Sequence, residues 1–253
     1  MPVPTKMAAT DELNIEIARL RRCNHALTLR LARALEQERK AIARELHDEI
    51  GQSLTAIKTD AVLVSNLSQG GANAQVHASA QAILGTVSRI YEVVYSMMRR
   101  LRPSVLDELG LSAAIEALIN EWRKRHPYIP CQLDVAEDLN GLDDLIGITV
   151  YRAVQESLTN VERYSAATRV TVTVARLLTP AGEQVCVTVE DNGRGMDVKR
   201  TLISSGQYGL RGLIERVEAL NGHIEINSVP GHGTRVSVWL PAELPADNDE
   251  DQR

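Results

Sequence analysis

Residues 38–57 read ERKAIARELHDEIGQSLTAI. Apolar residues recur at Ile42, Leu46, Ile50, Leu54 (or Ser53) and Ile57, and continue to Ala61 and Val64. That is one face of a long helix. Taking Leu46 as the zero of a helical wheel, with about 100° per residue, His47 falls just off the edge of the apolar seam. Asp48 follows it, and Gln52 lies four residues beyond Asp48, on the same outward face. A histidine on the shoulder of a packed seam is held firmly yet stays reachable. A free imidazole is mostly neutral near pH 7 and keeps a lone pair for attack. A neighbouring carboxylate can fix the tautomer and take up the proton. A surface histidine among ordinary charged neighbours has the same local spelling.

Upstream, Leu13, Ile17, Leu20, Leu27, Leu31 and Ala34 keep heptad spacing, with Asn24 at the skipped position. A single Asn in such a seam fixes register and dimer state. No Gly or Pro interrupts the chain from Asp11 to Gly51. The spacing of four across residues 42–54 breaks the heptad as a stutter does. Downstream, a loop is expected near Ser68–Asn73, around Gly70 and Gly71. A second helix follows with Ile83, Val87, Ile90, Val94, Met97 and Leu101 on its seam, stopped by Pro103. One hairpin cannot bury both seams, so two chains should pair as a four-helix bundle.

Gly110–His126 reads as a shorter amphipathic helix on Leu111, Ile115, Leu118 and Trp122. Past Pro127 and Pro130 the texture becomes α/β. Strands are expected at Cys131–Val135, Arg169–Leu178, Gln184–Glu190, His223–Ser228 and Thr234–Leu240. Helices are expected at Asp143–Tyr164 and Gly209–Leu220. The predicted organisation is a disordered start (1–10), a coiled-coil helix (11–40), a dimerisation and phosphotransfer region (41–126), an α/β domain (127–242) and an acidic disordered tail (243–253).

Composition limits the function classes. The 253 residues carry a net charge of −5, so a direct nucleic-acid binder is not expected. There is no Phe, so the core must be aliphatic. The three cysteines, Cys23, Cys131 and Cys186, form no CxxC pair, which suits a reducing compartment and indicates no structural zinc. The start MPVPTKMAAT lacks the apolar core of a signal peptide. The longest charge-free stretch, Ala61–Ser88, is too polar to span a bilayer. A cytoplasmic protein is expected.

Three further stretches can carry chemistry. In Gln155–Arg163 (QESLTNVER), Ile148, Tyr151, Val154, Leu158 and Val161 share one face, and Glu156, Asn160 and Arg163 the other. Such a face could hold Mg²⁺ and phosphate oxygens, because Mg²⁺ needs only one or two protein oxygens. It is equally the pattern of a solvated face. In Val189–Met196 (VEDNGRGM), a strand ends in Asp191 and is followed by Gly193 and Gly195, which allow tight turns. Neither a Rossmann fingerprint nor a Walker A loop is present. In Gly206–Gly212 (GQYGLRG), glycines open a helix whose free amides suit a phosphate. Gly231–Thr234 turns the last hairpin.

The order of these boxes closely resembles the cytoplasmic kinase core of two-component sensor histidine kinases. The branch resembled is that of the nitrate, membrane-fluidity and hexose-phosphate sensors, the last most of all. The stretches ERKAIARELHDEIGQSLTAI, MMRRLRPSVLDELGL, YRAVQESLTNVERYS, VEDNGRGMD, GLRGLIERVEALNG and GTRVSVWLP carry it, across about residues 38–241. The resemblance implies a dimeric helical hairpin followed by the GHKL (Bergerat) α/β sandwich shared with gyrase, Hsp90 and mismatch-repair ATPases. It implies that His47 accepts a phosphoryl group from ATP, with Asp48 as its base and Gln52 placing a water for dephosphorylation of the regulator. Asn160 would bind Mg²⁺ with Glu156 beside it. Asp191 would receive the adenine amino group, Gly193 and Gly195 would shape the nucleotide loop, and Thr234 would lie near the base. Gly209 and Gly212 would begin the lid helix.

Implied partners are a second copy and a response regulator with a helix-turn-helix DNA-binding domain; input would arrive either from an upstream sensor contacting the coiled coil or through a sensor region missing from this chain. The chain departs from the family at Arg163-Tyr164, where a basic residue and a histidine are usual, and carries an extra negative charge at Glu162. The alternatives are a non-catalytic dimeric module that sequesters a regulator and a serine kinase or ATPase of the same nucleotide fold.

Overall fold

The computed structural model describes residues 6–68, 73–136, 139, 141–180, 182–198 and 208–244. The expected loop glycines Gly70 and Gly71, the start of the Gly206–Gly212 stretch and the acidic tail beyond residue 244 lie outside the described residues. The chain divides into two units, Leu35–Glu108, and Met1–Ala34 together with Leu109–Arg253.

Helix α1 covers Lys6–Glu45. It begins before Asp11, where a disordered start was expected, because Met7, Ala8 and Ala9 are good helix formers and extend the helix outward. Its seam residues Leu20, Leu27 and Leu31 are exposed. A π-helix, π1, follows at Leu46–Gly51. It sits where the heptad spacing slips: a π turn bonds each amide one residue further back and so absorbs the shift. Helix α2 (Gln52–Leu67) then runs antiparallel to α3 (Ala74–Leu101).

Leu54, Ala61, Ala80, Val87 and Met98 are buried in this unit. Ile83, Ile90 and Met97, spaced by sevens on α3, stay exposed at 47%, 44% and 53%. Near the hairpin tip Gln81 donates to the buried Ser65 hydroxyl at 2.9 Å, and His77 Nδ1 lies 3.2 Å from the same oxygen. Buried polar atoms are stable only when paired in this way.

Helix α4 spans Ser104–Arg125 but is broken at Gly110, whose φ of +80° and ψ of 178° no helix contains. The expected helix from Gly110 is therefore present, and a separate helical stretch precedes it. Beyond the break, Leu111, Ile115, Ile119 and Trp122 are buried. Trp122 stacks on His126 with ring centroids 4.5 Å apart.

The second unit holds a five-stranded mixed sheet in the order β1-β2-β3-β5-β4. Its strands are β1 (Cys131–Val135), β2 (Val170–Thr179), β3 (Gly182–Asp191), β4 (His223–Ser228) and β5 (Thr234–Pro241). β1 pairs with β2 in parallel, and the other neighbours are antiparallel. Period-two valines build the packed face: Val172 opposes Val189, and Val187 opposes Val238. Helix α5 (Asp144–Asn160), the π-turn π2 (Val161–Ser165) and helix α6 (Tyr208–Ala219) supply the second layer. Asp143 caps α5 by accepting from the Leu145 amide at 2.8 Å. Ile146, Val150, Val154 and Leu158 of α5 and Leu213 and Val217 of α6 are fully buried. Each such side chain contributes about 1.5–3 kcal/mol of burial.

Candidate functional site

Two groups of predicted residues lie in the two units. In Leu35–Glu108, π1 carries His47 and Asp48 as exposed side chains. His47 stands on the ridge between two clefts. One is lined also by Gln52, Thr55, Asp60 and Tyr91. The other is lined also by Lys40, Arg44, Asp48, Tyr95, Arg102 and Asp107. Gln52 lines only the first of these and Asp48 only the second, so the two do not share a cleft, although a regular helical wheel puts both on one outward face. Tyr91 and Tyr95 stack on α3 with centroids 6.2 Å apart, one in each cleft.

The second group surrounds a cavity of about 330 Å³ between α5, π2, α6 and the sheet. That volume suits a small organic ligand. Asn160, Asp191, Gly195 and Thr234 line it. Val161, Val189, Met196, Leu210 and Val236 give it apolar walls fit for a flat ring.

Asp191 ends β3 and is only 8% exposed. The Gly193 amide donates to its Oδ1 at 2.7 Å. Burial pushes its carboxyl above the ordinary value, and bonds from the Gly193 and Thr234 amides oppose that rise. It is an oriented acceptor with unused lone pairs in a largely apolar cavity.

The loop after Asp191 is tied down through its backbone. The Arg194 amide donates to the Ser165 carbonyl at 2.7 Å, and the Met196 amide to Ser228 Oγ at 2.8 Å. Ser228 Oγ in turn donates to the Gly233 carbonyl. Gly195 has φ +62°, and a Cβ there would overlap the Val229 carbonyl. A side chain would therefore strain the loop as well as crowd it.

Glu156 and Asn160 are half-buried, so this side of α5 is not a fully solvated face. The reason is α6: a Cβ on Gly209 would occupy the space of the Glu156 carboxylate. Among the described residues no three His, Cys, Asp or Glu side chains form a metal cluster. Asn160 nonetheless supplies a hard amide oxygen at the cavity, and Glu156, one turn earlier on α5, a carboxylate outside the cavity lining; one or two such oxygens suit a Mg²⁺ that keeps most of its waters.

Arg163 is exposed and does not line the cavity, because π2 turns it outward and places Tyr164 there instead. Gly193 contributes its amide rather than a wall. Gly212 lies inside α6, where an added Cβ would meet only the Arg216 guanidinium. Glu162 is engaged by Arg125 at 3.7 Å and by His126 Nε2 at 3.3 Å. Its charge is therefore directed at α4.

Ser165, Arg194, Met196 and Ser228 escaped the motif reading. Only the serine and glycine texture around them hinted at a built loop.

Residues 38–106 match the family described as "Histidine kinase". Residues 146–244 match the family described as "Histidine kinase-, DNA gyrase B-, and HSP90-like ATPase". The chain is 37% identical over 232 residues to the signal transduction histidine-protein kinase/phosphatase UhpB of Salmonella typhimurium, covering 91% of this chain and 44% of that protein. It is 31% identical over 223 residues to the sensor histidine kinase LiaS of Bacillus subtilis, covering 87% and 58%. It is 32% identical over 212 residues to the oxygen sensor histidine kinase NreB of Staphylococcus carnosus, covering 82% and 57%. The chain spans about half the length of the curated relatives it matches. Among the described residues no helix is long and apolar enough to cross a membrane.

Proposed function

The chain belongs to the histidine kinase family, and from that membership we propose that it phosphorylates His47 from ATP and passes the phosphoryl group to an aspartate of a response regulator. The observation that carries this reading is the buried Asp191 carboxylate. Backbone amides fix it in a cavity that also presents Asn160 and is walled by aliphatic side chains.

In the proposed reaction Asp191 accepts a hydrogen bond from the adenine amino group. Val161, Val189 and Val236 exclude water around the ring. Asn160 and Glu156 would hold Mg²⁺, which when bound neutralises the phosphate charge. A neutral His47 nitrogen attacks the γ-phosphorus, the bond to the β-bridging oxygen breaks, and ADP leaves. The displaced imidazole proton passes to Asp48. Such chemistry needs positioning and charge neutralisation more than covalent help from the protein. Gln52 shares a cleft with His47, which supports a role in placing water for dephosphorylation of the regulator.

The exposed stripe of Ile83, Ile90 and Met97 supports pairing with a second copy. The exposed seam of α1 supports a signal arriving from an upstream sensor. A regulator with a helix-turn-helix domain and a cytoplasmic site of action belong to the same reading.

The test is incubation of wild type and His47→Gln with γ-labelled ATP and Mg²⁺. The wild type should take up an acid-labile, base-stable label, and the variant none. Label retained by the variant overturns the role of His47. No ATP binding by calorimetry favours the docking module, and acid-stable phosphoserine on a partner favours a serine kinase.

A further inference from the structure

The cleft on the Asp48 side of His47 holds charges that the proposed reaction does not use. Lys40, Arg44, His47 and Asp48 fall at helical spacing along one face and line it together. Opposite them, Arg102 and Asp107 come from the end of α3 and the start of α4. Lys40 Nζ lies 2.9 Å from Asp107 Oδ1. Arg102 donates through Nε to both Asp107 oxygens at 3.2 Å, and through Nη2 to Oδ1 at 2.9 Å.

Arg102 is 2% exposed, so its guanidinium is fixed in place. Glu36 is 4.0 Å from Arg102 and is also held by Arg39. One carboxylate, Asp107, therefore serves two cations. Of these, Arg102 is buried in a chelating geometry, and Lys40 is the one on a flexible stem. A phosphoryl group on His47 brings close to two negative charges into the same cleft.

We propose that Lys40 is a positioning residue for phosphorylated His47: its ammonium leaves Asp107 for the phosphoryl oxygens, while Arg102 keeps Asp107 in place. The inference rests on His47 being the phosphoacceptor. Asp107 then acts as the competitor that holds Lys40 while His47 is unmodified. The exchange makes and breaks ion pairs only. It leaves the covalent step unchanged, but it sets how long the phosphohistidine lasts and how readily ADP takes the group back.

The test uses the full chain, labelled with γ-³²P-ATP and desalted, with label lifetime and reversal by ADP as readouts. Lys40→Met should shorten the lifetime roughly tenfold, the scale of one lost hydrogen bond to a charged group. Lys40→Arg should restore most of it. Asp107→Asn removes the carboxylate charge that holds Lys40 at 2.9 Å and should lengthen the lifetime. Opposite signs for the Lys40 and Asp107 variants are the signature, since a merely structural contact would move both the same way. Equal shifts, or an unchanged Lys40→Met, overturn the proposal. If Asp107→Asn fails to fold, the contrast between Lys40→Met and Lys40→Arg decides alone. A wild type that takes up no label instead overturns the reaction itself.

Discussion

The Gly193 amide donates to Asp191 Oδ1 at 2.7 Å, so the loop that follows β3 is folded back onto the carboxylate that ends the strand. That bond orients the carboxylate and leaves its remaining lone pairs toward the cavity.

Asp191→Asn replaces one acceptor oxygen with an amide N–H donor that would oppose the adenine amino group. ATP affinity should fall roughly tenfold to a hundredfold, measured by calorimetry. Burial, the largest cause, raises the Asp191 carboxyl above its ordinary value of 3.8. Wild-type affinity should therefore decline on acidification at a higher pH than for an ordinary carboxylate. The variant should lack that dependence.

Gly209→Ala sets a methyl group against the Glu156 carboxylate. Glu156 is long and can swing aside, so the fold should hold and the melting temperature should change little. The displaced carboxylate should lower the labelling rate and weaken ATP binding with Mg²⁺, while ATP binding without Mg²⁺ is kept. A parallel loss of Mg²⁺-free affinity and stability would contradict this contact.

Asp107→Asn removes the charge that Arg102 and Lys40 share, and should cost about 2 kcal/mol of stability at neutral pH. Burial acts to raise the Asp107 carboxyl, but bonds from Arg102 and Lys40 outweigh it and hold it below 3.8. A carboxyl lowered in the folded state stabilises fully above its unfolded value and loses that contribution as pH falls through the folded one. Denaturant titrations should find a constant gap between wild type and variant above about pH 5, closing below about pH 4.

Much of this was legible in the sequence because it is periodic. The aliphatic seams of α2 and α3 and the valines of β2 and β3 repeat at the spacing of their elements, and the slipped spacing at residues 42–54 marked the site of π1. Asn160 was legible because it shares a helix face with Glu156, and Asp191 because it ends a strand just before two glycines. Pairings between distant residues carry no period. The Lys40–Asp107 contact joins residues far apart in the chain, although Arg102 and Asp107 stand out as charges flanking Pro103. The ties of Arg194 to Ser165 and of Met196 to Ser228 use backbone amides, which have no sequence signature. Arg163 lies outside the cavity lining, on a π turn that a regular wheel does not anticipate.

The most direct test is to locate the phosphoryl group. Wild-type protein incubated with ATP and Mg²⁺ is digested at neutral to basic pH and its peptides are fragmented by electron transfer. The account predicts the modification on His47, much reduced at limiting ATP when Asp191 is changed to Asn. A phosphoryl group on a serine or on another histidine, or an unmodified chain with ATP bound, would contradict it.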